Sequence, residues 1–197
     1  GRVTKRDEKT AAAIFESLLL TGIAMSFTKT SRPGSGTEHI MAHFWECMEL
    51  LDSKTPNYHG EDVGVTTLIM LRYYEALARL PQVTAHPEIC NWDEIYSIYG
   101  PLAPDVQKLN TPDTITDGIA PRWIEACWPQ IRRIVQSVPS YDACLAAMRQ
   151  AGCKTTIEEV GKAPDFVDIS FRFHPYMRRR LSLKRVSHML DLPEDLF

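Results

Sequence analysis

The stretch SRPGSGTEHIMAHFWE, Ser31 to Glu46, opens on small, turn-prone residues (Pro33, Gly34, Ser35, Gly36) and passes directly into a segment carrying His39, His43 and Glu46. Those three are four and three residues apart, a spacing that puts their side chains on one face of a helix. Ser35 and Glu38 have the S-x-x-E spacing of a capping box, which predicts a helix beginning near Gly36. Its apolar positions, Ile40, Phe44, Cys47, Met48 and Leu51, carry it to about Asp52. A second segment, HGEDVGVTTLIMLRYYEAL, starts at His59 and predicts a helix to about Leu80 through Val63, Leu68, Leu71 and Leu77.

Around this pair nearly every periodic stretch has helical spacing. An apolar helix is expected over residues 7–29, with Ile14, Leu18, Ile23 and Phe27 among its buried candidates. Six prolines between 81 and 121 allow only short helices there, such as Asp93–Tyr99. Helical periodicity returns at Arg122–Val138, Tyr141–Ala151, Thr156–Gly161, Asp165–Arg180 and Lys184–Leu190. VDISFRF reads as a strand taken alone, but one β-like run does not make a sheet. No strand–glycine-rich turn–helix unit occurs, so no nucleotide-binding Rossmann half is expected. The expected fold class is all-α, a single multi-helix domain spanning 1–197.

Composition narrows the function classes. With 197 residues, 44% hydrophobic and 24% charged, the chain can bury a real core. A net charge of −3 implies no general affinity for nucleic acid or membranes. The basic cluster Arg178, Arg179, Arg180, Lys184 and Arg185 reads first as a solvated face. Five cysteines with no C-x-x-C spacing argue against a disulfide framework or a zinc ribbon, and for a reducing compartment. The run AAAIFESLLLTGIAMSF is 17 residues long and carries Glu16, so it is read as too short and too charged to span a bilayer. GRVTKRDEKT lacks the apolar core of a signal peptide, and the expected location is the cytoplasm.

Imidazole and carboxylate are good ligands for Zn²⁺, Ni²⁺ or Fe²⁺, and catalytic sites of such metals often keep three protein ligands and an open position. An H-x-x-x-H pair alone, however, more often marks two unrelated histidines. There is no H-E-x-x-H of a zinc protease and no His-Asp dipeptide of a metal phosphohydrolase. The turn before the first histidine offers a second chemistry. Free N–H groups at a helix start attract phosphate, Gly34 and Gly36 let an anion approach the backbone, and Arg32 adds a bidentate donor. The same residues serve equally to end one helix and start the next.

Taken together, SRPGSGTEHIMAHFWE and HGEDVGVTTLIMLRYYE closely resemble the metal-binding region of sn-glycerol-1-phosphate dehydrogenases. These belong to the superfamily of iron-containing alcohol dehydrogenases, glycerol dehydrogenases and dehydroquinate synthases. The resemblance puts His39 and His59 at metal-ligand positions, with Gly60, Val63, Gly64 and Leu68 matching the second motif, and puts the catalytic-site histidine at His43. Ser31, Arg32, Gly34, Ser35, Gly36 and Thr37 fall where a substrate phosphate would be held. The tail HPYMRRRLSLKRV is similar to the family's closing R-x-R-Y-T-x-L-D segment, with Leu181, Ser182 and Leu183 in place of Tyr-Thr-x and with Lys184–Arg185 departing from it. The likeness is strong over residues 11–80, patchy over 81–150 and moderate in the tail.

What the resemblance implies is the helical C-terminal metal- and substrate-binding domain of an NAD(P)-dependent dehydrogenase acting on dihydroxyacetone phosphate or glycerol phosphate. The metal would be divalent, zinc first and nickel or iron as alternatives. The partners would be a polyol phosphate and a missing N-terminal nucleotide-binding domain, with no nucleic acid and no membrane insertion. Glu46 drops out as a ligand on this reading, and the family's third ligand, an upstream aspartate, is absent. The chain would be inactive alone and, with an apolar face uncovered, open to self-association. The competing expectation is a stand-alone helical metal-binding or regulatory module.

Overall fold

In a computed structural model, residues 3–5 and 7–197 are described, so the N-terminal GRVTKR segment lies partly outside the described residues. The fold is all-α: α1 Glu8–Thr28, α2 Thr37–Leu51, α3 His59–Arg79, α4 Trp92–Tyr99, α5 Ala103–Asn110, α6 Pro121–Ser137, α7 Tyr141–Ala151, α8 Pro164–Phe173 and α9 Leu183–Val186. Among the described residues there is no strand, only an isolated antiparallel bridge between Ala85 and Leu190. VDISFRF lies within α8, so the helical reading of that run holds.

α2 and α3 form the central hairpin. They run antiparallel: the His59 end of α3 meets Glu46 on α2, while Thr66, further along α3, donates to the Glu38 carbonyl at 2.9 Å. Their facing stripes supply Met41, Phe44 and Trp45 from one helix and Val65 and Met70 from the other, all essentially inaccessible to water. Ile95 and Tyr99 of α4, Val106 of α5 and Phe173 of α8 close over this cluster. A second cluster joins Tyr73 and Leu77 of α3 to Ile124 and Trp128 of α6, beneath Met189 and Leu190. Polar atoms in this interior are paired, as burial requires: Trp45 Nε1 donates to Ser170 Oγ at 2.7 Å, Tyr99 Oη to the Phe173 carbonyl at 2.8 Å, and Trp128 Nε1 to the Leu80 carbonyl at 3.0 Å.

One buried ion cluster ties the hairpin to the rest. Lys162 lies in the turn before α8 and is nearly inaccessible; its ammonium reaches Glu49 of α2 at 2.5 Å and Asp62 of α3 at 3.5 Å. The same nitrogen sits 5.5 Å from the Trp45 ring centroid. Burial pushes the Asp62 carboxyl up, against the pull of Lys162 and the hydrogen bond from Asn57.

Four expectations are corrected. First, Ile14, Leu18, Ile23 and Phe27 of α1 are not buried but 49%, 65%, 51% and 84% exposed. Apolar periodicity shows what a helix would bury, not whether the chain supplies a partner, and α1 packs chiefly on the Arg32–Gly34 turn. The helix also runs to 21 residues, with mean hydropathy 1.6 over its most apolar window, long and apolar enough by composition to cross a membrane. Second, Thr156–Gly161 is a turn rather than a helix, because the Glu159 carboxylate accepts from the backbone N–H groups of Thr155 and Thr156 and Gly161 takes a positive φ of 68°. Third, the helix expected over Asp165–Arg180 stops at Phe173, where Pro175 lies in a 3₁₀ turn, His174–Tyr176. Lys184–Leu190 likewise divides into α9 and a 3₁₀ turn at Ser187–Met189. Fourth, α2 starts where expected but Gly36, not Ser35, caps it. Glu38 reaches back to the Gly36 N–H at 3.0 Å, so half of the capping box forms, while the Ser35 hydroxyl is taken by Arg180.

Lys162→Met would leave Glu49 and Asp62 buried against each other without a cation. Chemical denaturation is expected to show a loss of about 3–5 kcal/mol, and a loss below about 1 kcal/mol would show that the cluster does not hold the hairpin.

Candidate metal centre

The α2–α3 hairpin sets three imidazoles together. Ring centroids are 6.1 Å apart for His39 and His43, 5.0 Å for His39 and His59, and 4.8 Å for the stacked His43 and His59. His39 and His43 are one turn apart on α2, and His59 is delivered by the first residue of α3. All three side chains are partly open, with 26%, 37% and 44% of their surface accessible.

Glu46 sits beneath them. Its two carboxylate oxygens contact His43 Nδ1 at 2.9 Å and His59 Nδ1 at 2.5 Å. Burial pushes this carboxyl up, but the hydrogen bonds from His59 and His43 outweigh that and hold it below the ordinary carboxylate range. An ionised carboxylate only accepts, so both Nδ1 atoms carry the proton. That leaves the Nε2 lone pair of each ring free, the arrangement in which a carboxylate orients an imidazole for metal binding. Among the described residues, His43, Glu46 and His59 have potential ligand atoms all within 4.8 Å of one another. The nitrogen-rich donor set suits Zn²⁺, Ni²⁺ or Fe²⁺. Sequence spacing set Glu46 on the histidine face of α2 but could not show that one carboxylate serves rings from two helices.

The Ser31–Thr37 turn leads into the same end of α2, and Arg180 clasps it. One guanidinium nitrogen donates to Ser31 Oγ at 2.5 Å, and another bonds both the carbonyl and the hydroxyl of Ser35. Burial and the nearby Arg178 and Arg32 charges lower the Arg180 pKa. The other residues of the turn have partners of their own: the Gly36 N–H faces Glu38, and Thr37 Oγ1 accepts from Tyr74 at 2.9 Å. A Cβ on Gly36 would meet the Glu38 carboxylate, the free end of a flexible side chain that would have to swing aside. Arg180, read from sequence only as part of a basic face, reaches the turn from 145 residues away, a distance no local pattern reveals. Next to His43, a cavity of about 220 Å³ is lined by Cys47, Tyr99, Leu102, Met177 and Arg178 among others.

Fold and site together define an all-α unit presenting a histidine–carboxylate face beside an arginine-held turn. Comparison with known proteins gives this class its relatives. The chain is 26% identical over 190 residues to glycerol-1-phosphate dehydrogenase [NAD(P)+] of Geobacillus stearothermophilus, covering 96% of this chain and 40% of the relative. It is 25% identical over 185 residues to the Bacillus subtilis enzyme of the same name, covering 93% of this chain and 37% of the relative. The Thermococcus kodakarensis enzyme is 39% identical over 64 residues, 32% of this chain and 17% of the relative. The resemblance carried by the two histidine motifs thus extends over nearly the whole chain, which spans about two fifths of the length of these relatives. No family model and no solved structure matches.

Glu46→Ala removes the acceptor for both rings. In ¹⁵N-detected spectra of the imidazoles, His43 and His59 are expected as Nδ1–H tautomers in the unaltered chain and as mixtures in the variant. Identical tautomer signatures in the two proteins would contradict the orienting role.

Proposed function

We propose that this chain is the C-terminal metal- and substrate-binding part of an NAD(P)-dependent glycerol-1-phosphate dehydrogenase-like oxidoreductase. The observation that carries the reading is the convergence of His39, His43 and His59 at ring separations of 4.8–6.1 Å, from two segments similar to motifs of that family. His39 and His59 hold a divalent ion, zinc before nickel or iron, through nitrogens that the carboxylate below leaves unprotonated on His59. Such an ion supplies Lewis-acid polarisation of the substrate oxygen. His43, fixed by Glu46, orients substrate or passes a proton at Nε2. Ser31, Arg32 and the Gly34–Thr37 turn hold the substrate phosphate, with Arg180 clasping that turn.

Two parts of the chemistry lie outside these 197 residues on this reading: the nucleotide-binding domain and the third, aspartate ligand. The chain alone is therefore expected to be inactive, 1–197 being one helical domain of a larger cytoplasmic enzyme. Free cysteines throughout support that location: Cys47, Cys90, Cys127, Cys144 and Cys153 are all unpaired. The exposed apolar side chains of α1 are the face from which the rest of the enzyme is missing, and through which isolated chains would self-associate.

A second reading rests on the tight His43–Glu46–His59 group. Here a stand-alone helical module uses Glu46 itself as third ligand and performs binding or regulation without dehydrogenation. Zinc titration followed by calorimetry separates the two. On the main reading His39→Ala and His59→Ala each lower affinity by about 10-fold or more, while His43→Ala has a smaller effect. Unchanged binding in His39→Ala with loss in His43→Ala supports the second reading, and unchanged binding in both His39→Ala and His59→Ala removes the first.

A further inference from the structure

The tail departs from the family pattern at Lys184–Arg185, and both side chains are buried, 4% and 0% exposed. Neither has a place in the metal centre. Among the described residues two lysines are deeply buried, Lys162 and Lys184. Lys162 is neutralised by Glu49 and Asp62. Lys184 has no carboxylate partner among the described residues; its polar contact is His188 Nε2 at 2.9 Å. Its nitrogen lies against aromatic rings, 4.4 Å from the Phe171 centroid and 5.4 Å from that of Tyr73.

The amine opens on a cavity of about 500 Å³, away from the histidine cluster. One wall is aromatic and apolar, with Tyr73, Phe171, Leu196 and Phe197, while Asp168, Arg172 and Glu194 also line the cavity. Phe171 and Phe197 stack at 5.1 Å, and Tyr73 meets both edge-on at 4.8 and 5.3 Å. Behind the amine stands a fixed relay. His188 Nδ1 faces Glu88 Oε1 at 3.5 Å and Tyr176 Oη at 3.2 Å. Glu88 is held by Arg185 Nε at 2.8 Å and by the Thr116 hydroxyl at 2.5 Å. Burial alone would raise the Glu88 carboxyl, but His188, Arg185 and Thr116 bring it down to about 2, so it stays ionised. The Nδ1–H tautomer, with its proton toward the Glu88 carboxylate, is the one that leaves Nε2 to accept an N–H from Lys184. Burial and the Lys184 charge bring this imidazole down to about 4, so it is neutral at pH 7 and passes a proton on rather than keeping it. Burial, with the Arg172 charge second, brings the Lys184 amine down to about 7, so free amine is present at neutral pH.

We propose that Lys184 is the nucleophile of a second site, which captures an apolar aldehyde in the Tyr73–Phe171–Phe197 cavity as an imine. The order carboxylate, imidazole, nucleophile is the arrangement by which a base activates an attacking group. The Nζ lone pair forms a C–N bond to the carbonyl carbon, and the carbonyl π pair moves to oxygen. The proton shed by nitrogen passes to His188 Nε2 and on to the oxygen, giving the neutral carbinolamine. Loss of hydroxide with a proton then releases one water and leaves a C=N bond, so one amine and one aldehyde become one imine and one water. Desolvation makes the amine nucleophilic and the aromatic walls hold an apolar aldehyde. Glu88 touches neither and is a positioning residue.

The test is reductive trapping on the unaltered chain with benzaldehyde and cyanoborohydride at pH 7, followed by peptide mapping. The expected result is a benzyl mark concentrated on Lys184, ahead of the exposed Lys9, Lys29, Lys54 and Lys108, with the ion-paired Lys162 unmarked. Labelling that follows exposure and spares Lys184 overturns the proposal. His188→Gln, checked by circular dichroism for its fold, is expected to slow marking of Lys184 by about 10-fold or more; an unchanged rate overturns the relay. The ¹⁵N signature of His188 in the unaltered chain reads the holding role of Glu88, with Nδ1–H expected and Nε2–H contradicting it.

Discussion

The site depends on the pairing of one lysine with two carboxylates. Lys162 enters the α2–α3 interface from the turn before α8, and its charge is satisfied by Glu49 on one helix and Asp62 on the other. Three residues from Glu49 along α2 stands Glu46, and three residues from Asp62 along α3 stands His59. The ion cluster therefore fixes the separation of the two helix ends that bring Glu46 and His59 to 2.5 Å. Each partner alone would be a buried charge at high cost, so the three are acceptable only together. At the other end of the hairpin the Thr66 hydroxyl bonds the Glu38 carbonyl and sets the register.

From this constraint the chemistry of the open face follows. Histidines on two helices share one carboxylate, and the carboxylate decides which ring nitrogen is protonated on two of them. The Ser31–Ser35 turn is fixed to the same region by Arg180, returning from the far end of the chain. The arginine-clasped, glycine-containing turn thus stands beside the group of imidazoles. The buried Glu88–His188–Lys184 group lies in a different part of the fold, so the two sites can succeed or fail separately.

Much of the architecture was legible in local pattern. The periodicities from His39 to Leu80 gave two helices within a residue or so of their observed ends, and the proline-rich middle gave short helices, because both signals act over a few residues. The histidine face of α2 was equally readable, since spacing alone places His39, His43 and Glu46 together. What failed depended on the whole chain. The apolar face of α1 announced burial that the described residues do not provide. The helical pattern of Thr156–Gly161 lost to a carboxylate gathering two backbone N–H groups. Arg180 read as a surface charge because its partners at Ser31 and Ser35 are distant in sequence, and the bridging role of Glu46 required knowing that His59 packs across from it.

The central claim is that two imidazoles from α2 and α3, His39 and His59, bind one divalent ion on this face. X-ray absorption at the zinc edge of the zinc-loaded chain tests it most directly. The account predicts two imidazole ligands at about 2.0–2.1 Å, the remaining coordination being oxygen, and loss of one imidazole shell in His39→Ala. A spectrum with sulfur ligation, or one unchanged by His39→Ala, would contradict it.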